Sequence, residues 1–228
     1  MKGHRPQSRS YGNRTVPVQR IAAVLVTIAC LFAPALARAE PVRIVALGDS
    51  LTAGFGLPVA EAFPTRLQAA LKAKGIDATI ANAGVSGDTA SGGLERLSWS
   101  VPDGTDAVIL ELGANDALRG LDPTLTEKAL DAILVKLAAR HIPVLLAGMK
   151  APPNMGADYA KRFDGIYPAL AAKHPVIVYP FFLDGVAGDR ALNQGDGMHP
   201  TAAGVDIIVQ RILPSVEELI AKAREAKK

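Results

Sequence analysis

The chain is 228 residues long, 49% hydrophobic and 21% charged, with a formal charge of +3 and a single cysteine. That size suits one domain with a substantial core and is too small for two domains of ordinary size. The first 39 residues carry Lys2, Arg5, Arg9, Arg14, Arg20 and Arg38 and no acid, so the remainder holds 19 bases against 22 acids, a net charge of −3. The basic balance therefore belongs to one segment and gives no reason to expect a nucleic-acid partner.

Taken in chain order, residues 1–39 read as a secretory signal peptide. A basic stretch leads into an apolar run from Ile21 to Leu36, interrupted by Pro34 and closed by Ala37-Arg38-Ala39. That small-x-small ending suits cleavage before Glu40, with a cut after Ala37 as the neighbouring alternative. The run falls short of the ~20 residues that span a bilayer, which disfavours an uncleaved anchor. The expected product is a single domain over residues 40–228, periplasmic or secreted, with no stable membrane anchor after cleavage and monomeric. Cys30 leaves with the leader, so disulfides, a thiol nucleophile and a thiolate-bound metal are all excluded from that product.

Beyond Glu40, short apolar runs alternate with segments of helical character. Strands are predicted at Val42–Leu47, Thr79–Ala83, Ala107–Leu112, Pro143–Met149 and Val176–Phe182. Helices are predicted around Pro64–Lys74, Thr89–Ser98, Thr124–Arg140, Asp158–Lys173 and Ala202–Ala226, the last kinked or divided by Pro214. Five strands separated by helices imply an α/β fold with a parallel sheet, and their Val/Ile/Leu content suits strands covered on both faces.

In open parallel sheets ligands bind beyond the carboxyl ends of the strands. Small and polar residues gather there: Gly48-Asp49-Ser50-Leu51-Thr52, Ser86-Gly87-Asp88-Thr89, Gly113-Ala114-Asn115-Asp116 and, near the C-terminus, Asp196-Gly197-Met198-His199. A serine hydroxyl attacks carbonyls only when a base takes its proton and a third group orients that base. After the leader the chain has three histidines, and His141 and His174 are explained by helix termini or solvent. His199 is left as the base, Asp196 as its orienting carboxylate and Ser50 as the nucleophile. The Ser50 N–H, the Gly87 N–H and the Asn115 amide are the candidate donors to an oxyanion.

These four blocks, in this order, resemble those of the SGNH (or GDSL) hydrolase family, with Ser50, Gly87, Asn115 and His199 at its four namesake positions. The resemblance covers the chain beyond the leader and is strongest to the bacterial periplasmic thioesterase, lysophospholipase and arylesterase branch. It implies a three-layer α/β/α flavodoxin-like fold on a five-stranded parallel sheet. It also implies hydrolysis of acyl esters, aryl esters, acyl thioesters and lysophospholipids, without metal or organic cofactor. By the same resemblance Leu118, Arg119, Gly120 and Leu121 border the acyl groove, and Pro153 and Asn154 form another wall. Ala114 departs from the pattern, since close relatives often carry a second glycine there.

Asp49 and Asp116 are expected to be buried structural carboxylates, Glu111 a paired strand-end acid, and Trp99 part of the core or pocket wall. The same triad would serve a carbohydrate deacetylase, and a non-catalytic binding module could retain the fold.

Overall fold

The computed structural model describes residues 1–3, 7 and 40–227. The expected leader features, namely the Ile21–Leu36 run, Cys30 and the Ala37–Ala39 cleavage site, lie outside the described residues. The chain divides between Ala39 and Glu40, and the fold that follows is that of the unit Glu40–Lys228.

Five strands form one parallel sheet in the order β2-β1-β3-β4-β5: β1 Val42–Gly48, β2 Ala78–Gly84, β3 Ala107–Glu111, β4 Val144–Ala147 and β5 Ile177–Tyr179. Every residue of central β3 is buried, as its unbroken apolar sequence requires when helices cover both faces. Edge strand β2 is the exception, with most of its length half-buried or exposed. β5 stops at Tyr179 because Pro180 has no N–H to continue the ladder.

The helices are α1 Ser50–Ala53, α2 Phe63–Ala73, α3 Ala90–Glu95, α4 Leu97–Ser100, α5 Ala114–Leu118, α6 Pro123–Ala139, α7 Ala157–Asp164, α8 Ile166–Lys173 and α9 Ala202–Ala226. Helices α2 and α9 pack together on one face; α3, α6 and α8 form the layer on the other. Caps follow from local chemistry: the Asp122 carboxylate accepts from the Thr124 N–H with Pro123 opening α6, and the Thr89 and Thr201 hydroxyls accept from Gly92 and Gly204.

Two helices differ from expectation. The segment expected as Thr89–Ser98 is two short helices meeting at Arg96, whose guanidinium turns inward. Asp158–Lys173 is likewise two helices, broken at Gly165; Pro168 cannot donate to the Asp164 carbonyl, and its ring crowds that group. Helix α9, by contrast, runs through Pro214 undivided. The proline removes one hydrogen bond, while Ile212, Val216, Leu219 and Ile220 stay buried on either side of it. Trp99 is 69% exposed and belongs to neither core nor pocket, because one-turn α4 buries only Leu97.

Candidate active site

The carboxyl ends of β1, β3, β4 and β5 open onto a pocket of about 460 Å³. At the first of these ends the chain turns sharply from Gly48 into α1. A side chain at Gly48 would collide with the Thr52 hydroxyl, the Glu111 carboxyl and the Glu111 backbone, so this approach admits only glycine. The Asp49 side chain caps α1 by accepting from the Leu51 N–H at 2.9 Å. Ser50 thereby stands at the first position of the helix, where its N–H has no partner one turn earlier.

The Ser50 Oγ lies 3.0 Å from His199 Nε2, and His199 Nδ1 lies 2.7 Å from Asp196 Oδ2. The second Asp196 oxygen accepts from the backbone N–H groups of Met198 and His199 at 2.9 and 3.0 Å. Those bonds, with that from the His199 ring, hold the Asp196 carboxyl down at about 2. The carboxylate is thus ionised and aligned, and the imidazole bridges it to the serine hydroxyl. Phe55 covers the ring, the two centroids 4.4 Å apart.

The remaining block residues are also brought near. Asn115 lines the pocket, its amide donating to Asp49 Oδ2 at 3.0 Å and to the Asp88 carbonyl at 2.9 Å. An oxyanion would compete with the Asp88 carbonyl for that donor. Gly87 lies outside the pocket lining, and its carbonyl accepts from Arg119. Its glycine is required for conformation rather than space: φ is +82°, and an added Cβ would meet only the Arg119 guanidinium, at 3.6 Å.

Leu118 and Pro153 line the pocket; Arg119, Gly120, Leu121 and Asn154 do not. Arg119 is engaged with Gly87, and the Leu121 carbonyl accepts from the Tyr159 hydroxyl. Sequence reasoning missed Met149, Lys150, Phe181 and Leu183, which supply much of the wall. They follow β4 and β5, at the same carboxyl edge of the sheet as the turns after β1 and β3, which is the signal that marks them.

Arg96 was missed as well. Almost fully buried, it donates to the carbonyls of Gly48 and Ala83 at the ends of β1 and β2, and to the Asp88 carboxylate at 2.6 Å. It ties the serine turn to the 86–89 loop.

Three acids beneath the site are buried. Burial pushes the Asp49 carboxyl up to about 6 against its hydrogen bonds, and raises Asp116, which accepts from the Ala90 N–H and the Thr126 hydroxyl. Burial, then the neighbouring Asp49 charge, hold Glu111 well above the usual carboxylate range. One Glu111 oxygen takes the Thr52 hydroxyl and the Asp49 N–H; the other has no partner. Elsewhere, His174 pairs with Asp131 at 2.6 Å. Among the described residues no group of three or more His, Cys, Asp or Glu is placed to hold a metal ion.

Residues 46–207 match the model of the GDSL-like lipase/acylhydrolase family. The chain belongs to that family. Among its GDSL relatives, the esterase TesA of Pseudomonas aeruginosa is 36% identical over 178 residues, covering 78% of this chain and 89% of that one. Thioesterase 1/protease 1/lysophospholipase L1 of Escherichia coli K12 is 34% identical over the same length, covering 78% and 84%. Among solved structures, that of AlinE4, described as an SGNH-hydrolase family esterase, is 48% identical with a TM-score of 0.67, covering 78% of this GDSL chain and 96% of its own.

Proposed function

We propose that this protein is a serine esterase and thioesterase that works through an acyl-serine intermediate, with Ser50 as nucleophile, His199 as general base and acid, and Asp196 as the group that orients His199. The observation that carries the proposal is the continuous hydrogen-bonded chain Asp196–His199–Ser50, whose serine and histidine line a half-open, largely apolar pocket. His199 Nε2 takes the Ser50 proton as Oγ bonds to the carbonyl carbon, and Asp196 stabilises the imidazolium. Negative charge on the carbonyl oxygen is met by the Ser50 N–H, the Gly87 N–H and the Asn115 amide. Collapse breaks the bond to the alkoxide or thiolate, which leaves with the proton from His199. Water, deprotonated by the same ring, then releases the acid and restores Ser50.

The wall favours acyl chains. Leu51, Leu118, Met149, Phe181 and Leu183 offer apolar contact, whereas an acetylated sugar would need partners for its hydroxyls. The esterase and thioesterase descriptions of the relatives agree with this reading. Residues 1–39 act, on our reading, as a cleaved export leader, and the remaining domain functions as a monomer in the periplasm or outside the cell. Among the described residues no helix is long and apolar enough to cross a membrane.

The test is hydrolysis of p-nitrophenyl acetate, butyrate and octanoate by the wild type and by folded Ser50→Ala, with intact mass after fluorophosphonate treatment. Activity and a single covalent adduct should disappear together in the variant. A folded wild type that shows neither would sink the proposal.

A further inference from the structure

Among the side chains that line the pocket with Ser50 and His199 there is one lysine or arginine, Lys150, and no carboxylate. Lys150 follows β4, and its ammonium lies 5.0 Å above the centre of the Phe181 ring, itself part of the wall. That contact uses the stem and the cation together to hold the charge over apolar surface. Lys150 makes no ion pair among the described residues; Asp164, which bonds the adjacent Ala151 N–H, does not reach it. Lys150, exposed to solvent, is therefore the one lysine, arginine or carboxylate side chain in the pocket lining.

We propose that Lys150 forms an anion subsite, and that the preferred substrates are esters bearing a carboxylate several bonds from the scissile carbonyl. This rests on the serine esterase reading of the same pocket. A neutral chain laid against Lys150 would strip water from the ammonium and return nothing to it, whereas a carboxylate replaces the lost hydration with a charge-assisted hydrogen bond. The apolar wall strengthens the attraction, because screening weakens where water is displaced. Such a cation discriminates in two ways, attracting anionic substrates and penalising long neutral ones.

The sheet sets the distance. Ser50 follows β1 and Lys150 follows the short stretch after β4, with only β3 between those strands. Two strand spacings amount to about 10 Å. Allowing for the lysine stem, this span fits a half-ester of a four- or five-carbon dicarboxylic acid, or a short acyl ester whose leaving group carries the carboxylate.

The experiment compares kcat/KM for p-nitrophenyl butyrate, p-nitrophenyl hemiglutarate and 4-carboxyphenyl butyrate in wild type, Lys150→Met, Lys150→Arg and Lys150→Glu. The quantity read is the ratio of each anionic ester to the neutral one. For an exposed pair, the ratio should fall roughly two- to fivefold in Lys150→Met, fall further in Lys150→Glu and persist in Lys150→Arg. The wild-type preference should also weaken with added salt. A drop confined to hemiglutarate places the anion on the acyl side; one confined to the carboxyphenyl ester places it on the leaving group. If butyrate is hydrolysed but neither ratio changes between wild type and Lys150→Met, the subsite is overturned and the esterase reading stands. If the wild type hydrolyses none of the three, both fall together.

Discussion

Asp49 links two parts of the site through one carboxyl group. Its Oδ1 caps the helix that presents Ser50, and its Oδ2 holds the Asn115 amide. Burial raises this carboxyl to about 6, against ~3.9 in an unfolded chain. Between those values the folded state holds a proton that the unfolded state has released. Stability from this group is therefore complete below pH ~4, declines as pH rises, and is gone above about 6. A shift of this size corresponds to about 2 to 3 kcal/mol. Urea unfolding at pH 4 to 7 should show a steeper decline in the wild type than in Asp49→Asn, whose amide does not titrate and which keeps only the contributions of the raised Glu111 and Asp116. Parallel profiles for the two proteins would refute the assignment. Asn115→Ala addresses the partner: loss of one oxyanion donor should lower kcat by about 10² to 10³ with KM little altered. A drop smaller than tenfold would remove Asn115 from the oxyanion site.

At the scale of elements, the site depends on a segment without regular secondary structure. Asp196 and His199 sit between β5 and α9, and Gln194 fastens that segment to the serine turn. Its side-chain amide donates to the carbonyls of Phe55 and Pro200 at 2.7 and 2.9 Å, and its own N–H donates to the His199 carbonyl at 2.7 Å. Asn193 braces the same stretch by donating to the Val186 and Asp189 carbonyls. Gln194→Ala should lower kcat about tenfold by loosening the His199–Ser50 contact, at a stability cost of about 1 kcal/mol. Hydrogen exchange should speed up over residues 194–200. Unchanged exchange and kcat would show that the loop holds itself without this tie.

The same contrast between strands and loops explains what could be read from the sequence. All five strands lie within or close to the expected spans; for β1, β3, β4 and β5 that is because buried parallel strands must be continuous apolar runs, while edge strand β2 was found by its short Ile/Ala run despite its exposure. The positions of Ser50, Asn115 and His199 followed from glycine-rich turns beside them. Gln194, Arg96 and Lys150 were hidden because their roles depend on backbone carbonyls or rings distant in the chain. A glutamine in a loop, an arginine in a helix and a lysine before Ala151-Pro152 carry no local pattern that announces such partners. The inward turn of Arg96 also accounts for the unforeseen split between α3 and α4.

For the whole molecule, charge and cysteine content yield a prediction independent of catalysis. The full chain has a net charge of +3, but six bases and the only cysteine lie in residues 1–39. Removal of that segment before Glu40 would leave −3 and no thiol, so the proposed cleavage would reverse the sign of the protein as well as shorten it. Exported protein should give an intact mass beginning at Glu40, or at Arg38 if the neighbouring site is cut. It should bind an anion exchanger near neutral pH, where the unprocessed chain favours a cation exchanger. Its melting temperature should be indifferent to reductant, because the core from β1 to α9 alone holds it. An exported form that retains residues 1–39 would instead carry the positive charge and Cys30 outside the cytoplasm, and the leader assignment would fail at that point.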